Sequence, residues 1–295
     1  MPDSYAHKYN AKCALQIANY KPRNYNAFIL GCNGPDVFYY YRKTDPFRTK
    51  SMSSLSRLLH NSRTGLFLQN MFRFAQTNTQ KDFCLGWLCH YAMDAVVHPY
   101  INYVTTAYGS PFNIEMGHSF FESALDSQIS LHETGFPAAN PEEYLPEIGK
   151  MHIDQIITLV KQAVDATYPE EKFDRADYMQ AYTDFKKLRK LMYAPNTLDF
   201  VYAKIMEKFL RLKKDYIVSR IQPCRMEIKN IGVWRNNPMG FFCDSTIGEL
   251  IDKANHTSAD HIAAGLKYFD GVYNSRDLLE EIGNKSYATG ITVDD

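Results

Sequence analysis

The chain has 295 residues and carries 33 basic against 33 acidic side chains, so its formal net charge is zero. A neutral chain lacks the general basic excess of a dedicated nucleic-acid binder, and no stretch reaches the roughly 18 consecutive apolar residues that a membrane span needs. Its 45% hydrophobic content, with 21 Tyr and 18 Phe, is enough to bury the core of one large domain.

Helical periodicity runs along almost the whole sequence. Ser4 is placed to cap a first helix that reaches Asn19 and stops before Lys21-Pro22. Gly31, Asn33, Gly34 and Pro35 make a turn of residues 30–35. Helices are expected over 53–60 and 64–76. A helix that is apolar on nearly every side begins near Lys81, ends or kinks at Pro99 and resumes to about Thr105. Residues 108–112 read as a loop and 115–132 as helix, followed by the proline-rich connection GFPAANPEEYLPE. Further helices are expected over 148–166, 174–192, 197–220, 246–254 and 257–273. Alternating strand patterns are scarce. The expected fold class is therefore all-α, a single multi-helix domain over 1–282 with a loosely held tail over 283–295. The segment MPDSYAHKYN has neither the early basic region nor the apolar run of a secretory signal. The six cysteines include no C-x-x-C pair, and together these features predict reduced thiols in the cytoplasm.

Five residues between positions 90 and 122 carry the chemistry. His90, Asp94 and His98 are spaced four apart, so on a helix they share one face, and His118 and Glu122 repeat the step on the next helix. Imidazole and carboxylate are ligand types that zinc and other borderline divalent ions take. The flanking Leu85, Trp87, Leu88, Met93 and Val97 predict a buried setting, where so much polarity needs a cation or a complete hydrogen-bond network. The pattern predicts a multinuclear metal site.

Three more residues extend the set: His7 in AHKYN, Asp36 in NGPD and His60 in LLHNS. Together with GWLCHYAMDAVVHP and HSFFE they stand in an order that resembles the zinc-dependent phospholipase C family over about residues 1–125, with VWRNNP a weaker match further on. The resemblance implies a helical fold shared with single-strand-specific zinc nucleases, hydrolysis of a phosphodiester, and two or three zinc ions. By the same resemblance Asp36, His60, His90 and Asp94 hold the first ion, and His98, His118 and Glu122 the second. His7 holds a third, with Asp94 bridging it to the first, and Asp36 is a candidate general base, a role open to it when it is not locked in coordination. Close metal ions suit this chemistry because they acidify water and stabilise charge on the attacked phosphate.

The sequence also departs from the family pattern. Secreted members give their N-terminal amine and carbonyl to the third zinc, well upstream of the histidine, whereas here six residues precede His7. The family's choline cage has an aromatic after the aspartate and another three before the helix histidine, where this chain has Val37 and Arg57. Arg57 reads as part of a solvated helix face, and Phe38-Tyr39-Tyr40-Tyr41 as helix packing. The expected substrate is thus a phospholipid, for which phosphatidylcholine is an unsafe guess, or a soluble phosphodiester, and the expected partners include a membrane surface met peripherally. The alternatives are a nuclease or nucleotidase on the same fold, and a non-catalytic metal-binding helical protein. A nuclease calls for base-stacking aromatics and a basic track. The lysines and arginines of 186–190 and 204–214 read first as solvated faces and second as contacts to anionic lipid. No adjacent His-Asp pair supports an HD-type phosphohydrolase, and only Glu115–His118 fits the Glu-x-x-His motif of di-iron bundles.

Overall fold

A computed structural model describes residues 4–45, 47–107, 114–214, 216–224, 228, 231–236 and 238–293. Its helices are α1 (Ser4–Ile17), α2 (Tyr25–Cys32), α3 (Ser53–Asn61), α4 (Thr64–Phe74), α5 (Asn78–Ala107) and α6 (Ile114–Thr134). They continue with α7 (Pro141–Tyr144), α8 (Lys150–Thr167), α9 (Arg175–Leu191), α10 (Thr197–Phe209), α11 (Ile247–Phe269) and α12 (Ser275–Ile282). Short 3-10 helices cover Gly34–Tyr40 and Val218–Arg220, and the strands Trp234–Asn236 and Phe241–Cys243 form one antiparallel hairpin. The expectation of an all-α fold holds. Residues 108–112, expected as a loop, lie outside the described residues.

Helix α5 is the centre of the packing. Its Leu85, Trp87, Leu88, Met93 and Val97 are buried, and α1, α2, α6 and α11 lie against it. Asp82 on α5 accepts hydrogen bonds from the Tyr20 hydroxyl (2.6 Å) and the Asn24 amide (2.7 Å), which fixes the α1–α2 connection to this helix. Asn10 on α1 donates to the Cys89 carbonyl (3.2 Å) and to Ser258 on α11 (3.0 Å), so three helices share one buried amide.

Several expected boundaries move. Residues 25–32, unassigned from sequence up to the turn, form a helix capped by the Asn24 side chain. The two expected helices over 246–273 are one, because Asn255, Ser258, Ala259 and Ile262 are buried and packing overrides the weak helix formers between them. The helix expected over 197–220 stops at Phe209, and Arg211 follows in the left-handed region (φ 51°). No break occurs at Pro99, which lies inside α5. Proline removes the hydrogen bond to the carbonyl four residues earlier, here that of Ala95. Gly290, with φ 69°, covers this carbonyl so closely that a Cβ would stand 2.5 Å from its oxygen.

Of the tail expected to be loosely held, residues 283–293 are described, and they make definite contacts. Residues 284–293 turn back, with Ser286 donating to the Ile291 carbonyl (2.8 Å) and Gly290 to the Ser286 carbonyl (2.8 Å). Tyr287 is fully buried, and its hydroxyl accepts a hydrogen bond from the Trp87 indole at 3.0 Å. Burying an aromatic ring of this size is what holds the segment in place.

Candidate metal centre

Side chains from α1, α3, α6 and the 3-10 turn gather along one face of α5, with Asp94 at its middle. The His7 Nε2 atom on α1 lies 3.4 Å from Asp94 Oδ1. On the other side Asp94 Oδ2 faces His90 Nε2 (3.2 Å), His60 Nε2 on α3 (3.8 Å) and His98 Nδ1 (3.8 Å). Asp36, in the 3-10 turn, stands 3.2 Å from His60 Nε2. Further along the seam, Glu122 Oε1 on α6 lies 2.9 Å from His118 Nε2 and 3.8 Å from His98 Nε2. The eight residues fall into three overlapping or adjacent donor groups: His7, Asp36 and His90; His60, His90 and Asp94; and His98, His118 and Glu122. Within each, the donor atoms are within 4.8 Å of one another.

Backbone carbonyls decide which way the rings point. His60 Nδ1 bonds to the Ser56 carbonyl (2.6 Å), His90 Nδ1 to the Cys32 carbonyl (3.1 Å) and His98 Nδ1 to the Tyr287 carbonyl (2.8 Å). A carbonyl only accepts, so each Nδ1 carries the proton. In the neutral ring each Nε2 then presents a lone pair to the seam, as metal-ligating histidines do when their other nitrogen is held. Gly34 permits this approach: its φ is 46°, and a Cβ there would stand 2.5 Å from the His90 ring.

The seam therefore sets acceptors against acceptors. Lone pairs on His60 and His90 point at Asp36 and Asp94 oxygens 3.2 Å away. Asp36 Oδ1, both Asp94 oxygens and the Nε2 atoms of His60, His90 and His98 are buried with no hydrogen bond among the described residues. An arrangement of this kind is repulsive without a cation. Protons do not supply it easily: burial pushes His90 down to about 4 and holds His98 and His118 well below the ordinary histidine range. Burial also raises Asp94 to about 7, against the attraction of His60, so its carboxylate needs positive charge nearby to stay ionised. Two donors about 2.1 Å from a tetrahedral zinc stand roughly 3.4 Å apart, and the separations along the seam, from 2.9 to 3.8 Å, scatter around that value. The donor set fits zinc.

Residues beyond the donors hold the frame. Asp126, one turn past Glu122, accepts from the Tyr5 (3.1 Å) and Ala6 (2.8 Å) amides. These are orphan N–H groups at the start of α1, so Asp126 and not Ser4 supplies the side-chain acceptor seen at their N–H groups and fixes His7 relative to α6. Arg189 on α9 balances Asp126 at 3.7 Å, and both are buried. Ser56 donates to the Pro35 carbonyl at 2.8 Å, tying α3 to the turn that bears Asp36. Nothing in the spacing of the sequence marks Tyr287. An acidic residue four after Glu122 on the same helix face was the only available signal, and it concerns Asp126 alone.

A cavity of about 570 Å³ opens onto the seam, with Asp36, His60, His98, His118 and Glu122 in its wall. Lys43, Arg57, Lys213 and Arg220 line it too, and among the described lining residues no carboxylates besides Asp36 and Glu122 oppose them. Lys43 and Arg220 both lie over the Tyr216 ring, at 5.3 and 4.2 Å from its centroid. Arg57 is exposed and lines the cavity, so its solvated face is the cavity side. The aromatic run divides: Tyr39 and Tyr40 reach the cavity, while Phe38 packs against Phe173 and Tyr178. Val37 is buried and adds no aromatic face.

A helical fold in which five histidines and three carboxylates meet below an open cavity has the makings of a metal-dependent hydrolase. The family whose sequence model matches this chain is the zinc dependent phospholipase C family, over residues 6–185. The match covers most of the chain and contains all eight converging residues; the protein belongs to that family. No curated protein and no solved structure matches it.

Proposed function

We propose that the protein hydrolyses a phosphodiester in the manner of a phospholipase C, releasing the head group of a phospholipid as its phosphate ester. The observation that carries this reading is the set of Nε2 lone pairs aimed at buried carboxylates at the floor of an open cavity. Asp36, His60, His90 and Asp94 would hold a first zinc, His98, His118 and Glu122 a second, and His7 would contribute to a third beside Asp94. Ions held there would polarise the phosphate and make water a competent nucleophile near neutral pH.

The chain's own groups do the rest. Asp36 lies at the boundary between seam and cavity with its Oδ1 turned to His60, and its other oxygen, left free of the seam, takes the proton that the attacking water loses. Water's oxygen forms the new bond to phosphorus, the bond to the glycerol oxygen breaks, and that oxygen leaves with a proton returned from Asp36. Arg57, Lys43 and Arg220 give the cavity a cationic wall that orients the phosphate. A wall of that sign repels a quaternary ammonium group, so the favoured head groups are anionic or uncharged rather than choline. Tyr39, Tyr40 and Tyr216 in the same wall favour a second reading, a nucleotide phosphodiester stacked on an aromatic ring. The free thiols suit a reducing compartment, and we place the protein in the cytoplasm.

The test is zinc content by mass spectrometry, read together with hydrolysis of a chromogenic phosphodiester before and after chelation. The expected result is two or three zinc ions per chain and activity that chelator removes and zinc restores. Stoichiometric zinc without hydrolysis of any diester, lipid or nucleotide would make the protein a metal-binding module instead. A panel of phosphatidylglycerol, phosphatidylinositol, phosphatidylcholine and a short single-stranded oligonucleotide separates the two substrate readings.

A further inference from the structure

Helix α10 is amphipathic and faces the wrong way for a core helix. Its inner face is Phe200, Ala203 and Glu207: Ala203 and Glu207 are buried, and Phe200 packs against the core. Glu207 is held there by the amides of Ile217 (2.8 Å) and Val218 (3.2 Å). The opposite face carries Leu198, Val201, Tyr202, Ile205 and Phe209. At about 100° per residue, these five share a stripe roughly 100° wide. Leu198 is 81% exposed, Ile205 61% and Phe209 75%. Isolated exposed apolar residues are ordinary, but a continuous stripe marks an interaction surface.

Charge and position indicate what covers it. Lys204 and Lys208 run along one flank of the stripe, and Arg211, Lys213 and Lys214 follow its last turn; all five are exposed. Of the two carboxylates on the helix, Glu207 is turned inward, which leaves Asp199. An apolar face edged by lysine is the pattern of a helix lying in the plane of a bilayer surface, and the basic edge matches anionic lipid. The chain leaving α10 then supplies Lys213, Tyr216 and Arg220 to the wall of the metal-site cavity. No helix of the described residues is long and apolar enough to cross a membrane, so contact through this helix is with the surface.

We infer that α10 is an interfacial docking helix that seats the protein on an anionic lipid bilayer, with the stripe Leu198–Phe209 in the acyl boundary and the flanking lysines among the head groups. This brings the cavity mouth to the surface where a phospholipid head group is met. The choice of lipid over a protein occupant rests on the phospholipid reading above; the exposed stripe does not.

The test is sedimentation of the zinc-loaded full chain with sucrose-filled vesicles, either phosphatidylcholine alone or phosphatidylcholine with phosphatidylglycerol. Hydrolysis of a water-soluble chromogenic diester is measured on the same preparations. The expected result is binding that needs phosphatidylglycerol, falls about tenfold or more in the triple variant Leu198→Asp, Ile205→Asp, Phe209→Asp, and loses about fivefold or more in Lys204→Glu with Lys208→Glu. Both variants should keep wild-type hydrolysis of the soluble diester, which shows that they fold. Equal vesicle binding by wild type and the triple variant would overturn the proposal. So would a wild-type dimer in sedimentation velocity that the triple variant abolishes, because the stripe would then be covered by a second copy. Loss of soluble-diester hydrolysis in the wild type itself would count against the catalytic reading and leave the vesicle result standing.

Discussion

Along α5 the polar side chains His90, Asp94 and His98 turn inward, whereas along α10 the apolar side chains Leu198, Ile205 and Phe209 turn outward. Both helices invert the ordinary amphipathic arrangement. In α5 the inversion is stabilised locally, because backbone carbonyls fix the rings and leave their lone pairs for a cation. In α10 no neighbour among the described residues covers the stripe, and the helix is held by its Asn196 cap and the inward Glu207. A polar group buried without a partner costs several times more than an apolar side chain left in water. The first inversion therefore demands an occupant for the fold's sake, and the second only invites one.

The strongest way to break this contrast is Asp94→Asn. It removes the charge that His7, His60, His90 and His98 surround, and it should abolish binding of one or more zinc ions. Hydrolysis should fall on the order of 10³-fold, about 4 kcal/mol of lost stabilisation. A fully metallated, active Asp94→Asn protein would remove Asp94 from the centre. Glu122→Gln sharpens the picture by weakening only the second ion, read by zinc stoichiometry after mild chelation.

Next in size is Asp126→Ala. It uncaps α1 and leaves buried Arg189 without its counter-charge, and the loss should be about 3–5 kcal/mol in denaturant midpoints at constant slope. Asp126→Asn should recover part of the capping and none of the charge balance.

A smaller effect is expected from His261, which is buried against the Tyr91 ring with its pKa pushed down to about 4 by burial. The unfolded chain binds a proton at this site below about pH 6.5 while the folded chain does not. Stability from neutral His261 is thus present above about pH 6.5 and is lost as pH falls towards 4. The loss is at most about 3 kcal/mol over that window. His261→Gln should flatten this part of the stability–pH curve, and an unchanged slope would show that other groups set it. Least of all should come from Phe209→Ser on α10: within about 0.5 kcal/mol of wild type in thermal unfolding. A large loss there would mean that the stripe belongs to the core.

The sequence announced the centre better than its supports. Eight residues chosen by i, i+4 spacing and by motif order converge in the structure because helix periodicity and metal chemistry both leave side-chain signatures. The supports leave fewer. The carbonyls of Ser56, Cys32 and Tyr287 that aim the rings are backbone groups, which any residue could supply. Tyr287 lies in a segment with little apolar pattern, which is why the sequence gives no sign of its contact with Trp87. Pro99 was a fair signal for a break, overridden because α5 is surrounded by packing. The outward stripe of α10 was invisible for the opposite reason. Its periodicity is that of any buried helix, and only the position of Ala203 and Glu207 tells which face is inside.

The Tyr287 contact also sets a limit on when the protein becomes itself. His98 takes its orientation from the Tyr287 carbonyl, and His60 gives its own carbonyl to the Tyr287 amide at 2.8 Å. The seam thus cannot be completed until residue 287 has been made, although its first donor is His7. At about 5–20 residues per second, roughly 8–35 s separate the making of His118, the last of the five histidines, from that of residue 287. A chain that stopped short of residue 287 would carry all eight converging side chains without the carbonyl that turns the His98 ring, so the aim of the centre depends on a segment far along the chain from its first donor.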